Sequence, residues 1–589
     1  MGFIYFRKMR MIGINKSIKY IIIALLISIL SIGMWKMDIM ASDFMMTEPM
    51  LQNPGKDSVY VQWFTEGEGN SHEVLLFENG PTGVPTRTVE ATTVKMSRLR
   101  GGKSEATAND ASIDANIYKH IALVEGLPVN KGKNANRVLY KIVSDGKKSR
   151  MYSLASNQDE GVDIKVLLTS DHQIKQLCAA NIEKVIECVG RVDAIWMAGD
   201  IVDVSDRAYD WFYADNAFIK VMTGQAGSKI GGETYKGAPL LQYAPIYTAI
   251  GNHDVMGVYS KSGDLSVQFN SPIPREVARK RLEAKGDFDE LSLQDASYNT
   301  ITYEEMFELP KSENGGEKWY AKSMGDIRLV SLDASRVWKL PNLGMVGKFT
   351  EWPGATEDMY GYGDFIFESM AEGSPQIEFL KSELESKEYK DAAIKVVMFH
   401  EEAHSLGGNK IPPFTDPVAG EVKDPVTGLK MVTYDYPKDK DYIETVVEPL
   451  LEKSGTDLLF NAHSHLWNRF VSSSGMNILE TSNVGNNYGG FDYESKRDQY
   501  PSALNKKDAY SSIAFAWDAD NYITNGDPSG LEAVKPNAAG LPGNRAYLAS
   551  NTVTAFSILD TKKGTVDSYY YDTAKRDGDI VLFDSFDIR

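Results

Sequence analysis

From Ile164 onward one pattern recurs: a short apolar run, a polar exit, then a stretch with helical periodicity. The runs are "IKVLL" (164–168), "AIWM" (194–197), "PIYTAI" (245–250), "IRLVSL" (327–332), "IKVVMF" (394–399) and "DLLF" (457–460). Such continuous apolar runs suit strands covered on both faces. Helix-like segments intervene, among them "DRAYDWFYADNAFIKVM" and "PQIEFLKSELESK". The alternation requires an α/β fold with helices packed over the sheet faces.

A covered strand has no packing reason to end in metal-binding side chains, yet these strands do. Asp171, Asp200, Asn252, His400 and the pair His463 and His465 all stand at exits. Six of the eight histidines, namely His172, His253, His400, His404, His463 and His465, lie in or beside them. Taken singly, each exit has a plain structural reading: "GD" is a turn, "GNHD" a tight loop and "HSH" a polar strand end. Their recurrence in one order makes a ligand site the better reading. Loops at the carboxyl ends of strands are also where α/β folds place ligands.

The blocks "TSDHQ", "AGDIVD", "GNHD", "FHEEAH" and "NAHSH" resemble the five blocks of the calcineurin-like metallophosphoesterase superfamily. The preceding β region resembles the fibronectin-like module of its purple acid phosphatase branch, and "AFSILDTKKGTVDSYYYDT" is similar to that branch's closing strands. The resemblance implies a four-layer α/β/β/α domain over 162–589 behind a β-sandwich over 43–157. It also implies a two-metal site. A mixed Asp, Asn and His donor set suits Fe, Zn or Mn better than calcium. Phosphoryl transfer needs charge neutralisation and a placed, activated water, which two cations about 3.5–4 Å apart supply. One carboxylate can bridge such a pair, and that role is assigned to Asp200. Asp171, Gln173 and His465 are expected to complete the first site, and Asn252, His400 and His463 the second. In "HSH" the two imidazoles, at i and i+2 of an extended segment, project from one side. His253 is expected to act on the phosphate and leaving oxygen, with Asp254 orienting it, and His404 to reach the phosphate.

Two departures from the family pattern bear on the chemistry. Many members read Asp-x-His in the first block, whereas here the i+2 position is Gln173 and the histidine comes one place early. Alternation along an extended chain would then turn His172 away from Asp171, unless a bulge turned it inward. Purple members carry a tyrosine three residues after the bridging aspartate; Asp203 stands there instead. A charge-transfer purple centre is therefore not expected.

Upstream, "VYVQWFT" (59–65), "HEVLLFE" and "RVLYKIV" alternate as strands between Gly, Pro and Asn turns, giving the β-sandwich, with "SNQDEG" (156–161) as a linker. His72 and His120 fall within it and read as ordinary surface or strand residues. Before it, Arg7, Lys8, Arg10, Lys16 and Lys19 precede "YIIIALLISILSIGMW" (20–35). Residues 1–41 thus read as a signal peptide or membrane anchor, so an extracellular or cell-surface body is expected. Cys178 and Cys188 sit ten residues apart on one helical pattern, about 15 Å at ~1.5 Å per residue, too far for a disulfide.

The formal charge is −18, from 63 basic and 81 acidic residues, without a basic run past the leader, which argues against a nucleic-acid-binding surface. The expected partner is a phosphate-ester substrate, entered through insertions near 407–440 and 486–545. A phosphodiesterase or nucleotidase of the same fold, and a degenerate non-catalytic surface-binding protein, are the alternatives.

Overall fold

A computed structural model describes residues 45–130, 136–286, 288–337, 362–407, 413–423, 430–484, 524, 526–550, 552–573 and 575–588. The leader, 1–41, lies outside the described residues, as does most of the 486–545 insertion. Part of the 407–440 insertion is described as a hairpin, Val418–Lys423 with Lys430–Asp435.

The apolar runs form strands buried on both faces. In Lys165–Thr169 every residue after the first is buried, and Ala194–Met197 and Leu458–Asn461 are buried throughout. They assemble into two mixed sheets. One, of six strands, runs Ile246–Thr248, Ala194–Met197, Lys165–Thr169, Val553–Asp560, Thr565–Asp572 and Val581–Asp587, the first three parallel and the rest an antiparallel meander. The other, of seven, has Ile327–Ser331, Ile394–Met398, Leu458–Asn461 and Asn477–Thr481 parallel at its centre. Val166, Ile195, Ile246, Val396 and Leu458 share one core between the sheets. Trp467 Nε1 also donates across to Ser568 Oγ at 3.0 Å.

Helices close the outer faces. Cys178–Val189 packs Ile182 and Val185 on the six-stranded sheet. Pro375–Leu384 packs Ile377, Leu380 and Leu384 on the other, with Val330, Val397 and Leu459 beneath them. The result is helix, sheet, sheet, helix, the four-layer order that the resemblance implies; the apolar pattern alone requires only an α/β fold. The two cysteines are free and lie on one helix.

Residues 50–154 form two sheets of four and five strands around Val61, Trp63, Leu76, Tyr140 and Ile142. Their union with the rest is tight. Met50, Phe64, Leu99 and Ile117 join the large central core, and Phe64 packs edge-on against Phe212 with ring centroids 5.1 Å apart. Arg100 pairs with Asp206 at 3.0 Å with both side chains buried, and Gln62 Nε2 donates to the Met306 carbonyl. The linker at 156–161 is itself held down: Asn157 Nδ2 donates to the Ser323 carbonyl, and Asp326 accepts from the Gly161 amide. Among the described residues, no helix is long and apolar enough to cross a membrane.

Candidate metal centre

The exits of the parallel strands meet where the two sheets' carboxyl edges face each other. Asp171 follows Lys165–Thr169, Asp200 follows Ala194–Met197, and Asn252 opens a single 3₁₀ turn past Ile246–Thr248. His400 follows Ile394–Met398, and His463 and His465 follow Leu458–Asn461. Backbone contacts hold the loops together: the Asp171 amide donates to Gly199 O at 3.1 Å, and the Ala462 amide to His400 O at 3.0 Å.

The loops are drawn so close that the local backbone is constrained. Asp171, Asp200, His463 and His465 all have positive φ, at 53°, 53°, 79° and 56°. Non-glycine residues hold that conformation only where their surroundings enforce it. Gly199 has φ +95°, and a Cβ there would lie 2.7 Å from His400 Nδ1; one at Gly251 would lie 2.3 Å from Asp200 Oδ1. Only glycine permits this approach.

Two donor sets share Asp200. In one, His400 Nε2 lies 3.2 Å from Asn252 Oδ1, 3.1 Å from His463 Nδ1 and 3.4 Å from Asp200 Oδ1. In the other, ligand atoms of Asp171, Asp200 and His465 lie within 4.8 Å of one another, with His465 Nε2 3.1 Å from Asp171 Oδ1. All six side chains are buried. The His400 tautomer decides what the first set is for. Its Nδ1 is 2.8 Å from the Ala198 carbonyl, which can only accept, so the Nδ1 proton is there and Nε2 turns its lone pair to the centre. That lone pair then faces two further acceptors, Asn252 Oδ1 and Asp200 Oδ1. Converging acceptors need a cation or an extra proton between them. Separations of 3.1–3.4 Å match the edges of a coordination polyhedron with bonds of about 2.1 Å, so the donor set fits a metal.

The electrostatics point the same way. Burial opposes charge on both Asp200 and His400, yet their mutual attraction holds Asp200 well below the usual carboxylate range and His400 well above the usual imidazole value. His463 is driven well below it, by burial and by His400's charge. A positive charge belongs at this centre, and a bound cation supplies it without a proton.

The other expected site residues are placed as follows. His172 is turned away: its Nε2 lies 3.1 Å from Thr169 Oγ1, its ring packs edge-on against Phe218, and burial lowers its pKa to about 4. Strand alternation is not the reason, because Asp171, Gln173 and Ile174 all have positive φ and the segment is a tight loop. Gln173 stands at the centre, but its Nε2 donates to Asp200 Oδ2 at 2.9 Å. In this orientation it holds the shared carboxylate through its amide nitrogen.

His253 is anchored from both sides: its amide donates to Asp200 Oδ1 at 2.8 Å, and its Nδ1 lies 2.7 Å from the Asp203 carbonyl. Asp254, expected to orient that ring, instead accepts from the amides of Gly251, Asp200 and Ile201 at 2.9, 2.9 and 3.2 Å. Burial and the Asp200 charge push it up to about 8. Its role is to fix the two loops that carry Asp200 and Asn252. His404 also departs from expectation. Its Nδ1 is 2.9 Å from Asp527 Oδ2 and its Nε2 3.1 Å from Glu448 Oε1, and these two carboxylates raise its pKa to about 9 against the effect of burial. With both ring nitrogens engaged, it has none to offer a phosphate.

Sequence reasoning passed over three buried groups at the centre. Glu401 Oε2 lies 3.8 Å from His463 Nε2 and 3.3 Å from Arg336 Nε. Glu402 bonds Ser464, between the paired histidines, and so does Glu480. The doubled acid directly after His400 was the available signal; Glu480 had none.

A model of the calcineurin-like phosphoesterase family matches residues 164–466, just over half of the chain and spanning all five blocks. The chain belongs to the calcineurin-like phosphoesterase family. Its enzyme class is therefore that of a metal-dependent phosphoesterase. No curated protein matches the sequence. Among solved structures, a purple acid phosphatase, PPD1, from yellow lupin (Lupinus luteus) seeds is 14% identical, covers 91% of this chain and 73% of its own, and has a TM-score of 0.49. PhoD is 11% identical, covers 92% and 90%, and has a TM-score of 0.46. GAP50, the anchor in the inner membrane complex of Plasmodium, is 11% identical, covers 72% and 89%, and has a TM-score of 0.31. Where the purple branch of this calcineurin-like family carries tyrosine, Asp203 here pairs with Lys175 at 2.9 Å.

Proposed function

We propose that the protein is an exported or surface-anchored, binuclear phosphoesterase that hydrolyses phosphate esters. The observation that carries the reading is the Asp200 carboxylate shared by two buried donor sets. In this reading Asp171, Asp200 and His465 hold one cation, and Asp200, Asn252, His400 and His463 the other, drawn from Fe, Zn or Mn. Cations held by these residues would supply charge neutralisation for the phosphoryl group and a more acidic bound water.

The chain's own residues do the rest. Asp200 keeps the two donor sets at one spacing, and Gln173 and the His253 amide fix its oxygens. In this reading the His253 ring acts as the doubly protonated imidazolium: its Nδ1–H donates to the Asp203 carbonyl, which aims the Nε2–H proton at the leaving oxygen. Loss of that proton donor slows leaving-group departure without emptying the centre. Residues 43–157 are read as a fibronectin-like sandwich, and 1–41 as the export signal or anchor.

The test is elemental analysis of the purified protein with a screen of chromogenic phosphomonoesters and phosphodiesters. Two transition metals per chain with ester hydrolysis are expected. Fewer than one metal per chain after reconstitution would sink the reading, and hydrolysis restricted to diesters would favour the phosphodiesterase alternative.

A further inference from the structure

Glu480 is the penultimate residue of the Asn477–Thr481 strand and pairs with Asn461, the last residue of the strand whose exit carries His463 and His465. It is 2% exposed and is surrounded by donors. Oε1 accepts from the Ser464 amide at 2.9 Å and from Ser482 Oγ at 2.7 Å. Oε2 accepts from Asn468 Nδ2 at 2.7 Å and lies 3.1 Å from Ser405 Oγ. Ser464 is held a second time through its hydroxyl, which bonds Glu402 and lies 2.9 Å from Ser405 Oγ.

Ser464 is the middle residue of His-Ser-His. Both flanking histidines have positive φ, a strained conformation that persists only where the surroundings enforce it. An extended "HSH" would send both imidazoles to one side by alternation. Here they diverge: His463 Nδ1 faces His400, and His465 Nε2 faces Asp171. The contact that pins the peptide between them is the Ser464 N–H donating to Glu480 Oε1, in a pocket closed to water.

We infer that Glu480, with Ser464, is the positioning clamp that holds His463 and His465 in the strained conformation needed to serve two separate metal positions. Such supports beyond the ligands set metal affinity by about 10–100-fold. The inference rests on the binuclear reading above and adds the residue that makes the divergence of the two histidines possible.

The experiment is Co²⁺ titration of the full chain, followed by stoichiometry and visible absorption, with thermal unfolding of the metal-free forms alongside. In Glu480→Ala at least one Co²⁺ should bind tenfold or more weakly, with a changed visible spectrum. Glu480→Gln keeps an oxygen for the Ser464 amide and should restore affinity to within about threefold, which a merely structural loss would not predict. Parent-like Co²⁺ affinity in a folded Glu480→Ala, or Glu480→Gln binding no better than Glu480→Ala, overturns the clamp. If Glu480→Ala does not fold, Ser482→Ala and Ser405→Ala remove, one at a time, the hydroxyls that hold the Glu480 carboxylate against the Ser464 amide. Each should weaken Co²⁺ threefold or more, and unchanged affinity in both overturns the proposal. A parent chain that binds fewer than two Co²⁺ sinks the binuclear reading instead, so the two failures are told apart.

Discussion

Two buried histidine pairs occur in this molecule, and they are built in opposite ways. In the N-terminal sheets His72 and His120 stack with centroids 3.6 Å apart and planes 15° from parallel. At the centre His400 and His463 meet edge to face at 5.0 Å. The N-terminal rings are matched to neutral partners. His120 lies 2.6 Å from Thr65 Oγ1 and 2.9 Å from Thr93 Oγ1, and His72 lies 2.9 Å from Ser144 Oγ and 2.8 Å from the Glu68 carbonyl. Hydroxyls can donate or accept, so neutral rings are satisfied in place. The central pair faces carboxylates and an amide oxygen that can only accept. Burial and residue type are common to both pairs; what separates packing from a site is whether the neighbours can be satisfied without a cation. Both N-terminal histidines lie in strands, one of the two readings given for them, and are buried rather than on the surface.

The largest expected effect comes from making the central pair more like the other. Asp200→Asn removes the shared charge and keeps the shape. Turnover of a chromogenic phosphate ester should fall by about 10³ or more, with loss of metal by elemental analysis, because both donor sets lose their common anion. Near-normal turnover would show that the shared carboxylate is not the organising group. Next, His253→Ala should cost about 10² in kcat while metal content stays at the parent value, which separates proton delivery from metal holding. Gln173→Ala, which strips one donor from Asp200, should weaken metal affinity by about tenfold. His172→Ala should leave metal stoichiometry unchanged and only lower stability, by about 1–3 kcal/mol.

The N-terminal pair is expected to respond to acid instead. Burial and the neighbouring His72 lower the His120 pKa to about 3, below its unfolded value of about 6.5. The folded state thus binds fewer protons, so this group's stabilisation is complete above pH 6.5 and is lost progressively as the pH falls toward 3. The melting-temperature gap between the parent and His120→Gln should therefore narrow from pH 7 to pH 4. A constant gap would mean that His120 takes up its proton as readily in the folded as in the unfolded state.

The legibility of the site followed the same division. Residues whose role depends on being next to a strand end were readable, because an apolar run marks the strand and the next few positions must leave it together. Asp171, Asp200, Asn252, His400, His463 and His465 are such residues, and the structure brings them to one place. Residues whose role depends on a contact from another part of the chain were not. His404 looked like a phosphate group's partner until Asp527 and Glu448, distant in sequence, took both its nitrogens. Asp254 looked like His253's partner until three amides from two loops took its oxygens.

By itself the sequence determined the layered α/β architecture, because apolar runs of strand length alternating with amphipathic helices leave few other ways to bury both. It also pointed to a ligand site at the strand exits, because five polar exits of metal-binding type recur in one order; the chemical class came from the resemblance of those five blocks. Only the tertiary structure decided how the donors are used: which nitrogen of His400 faces inward, which way His172 and Gln173 turn, and what holds His463 and His465 apart. The reason is physical. Tautomers, positive φ values and the direction of a buried side chain are set by partners across the fold. The Ala198 carbonyl, the Asp203 carbonyl and the Glu480 carboxylate are all far in sequence from the histidines they orient.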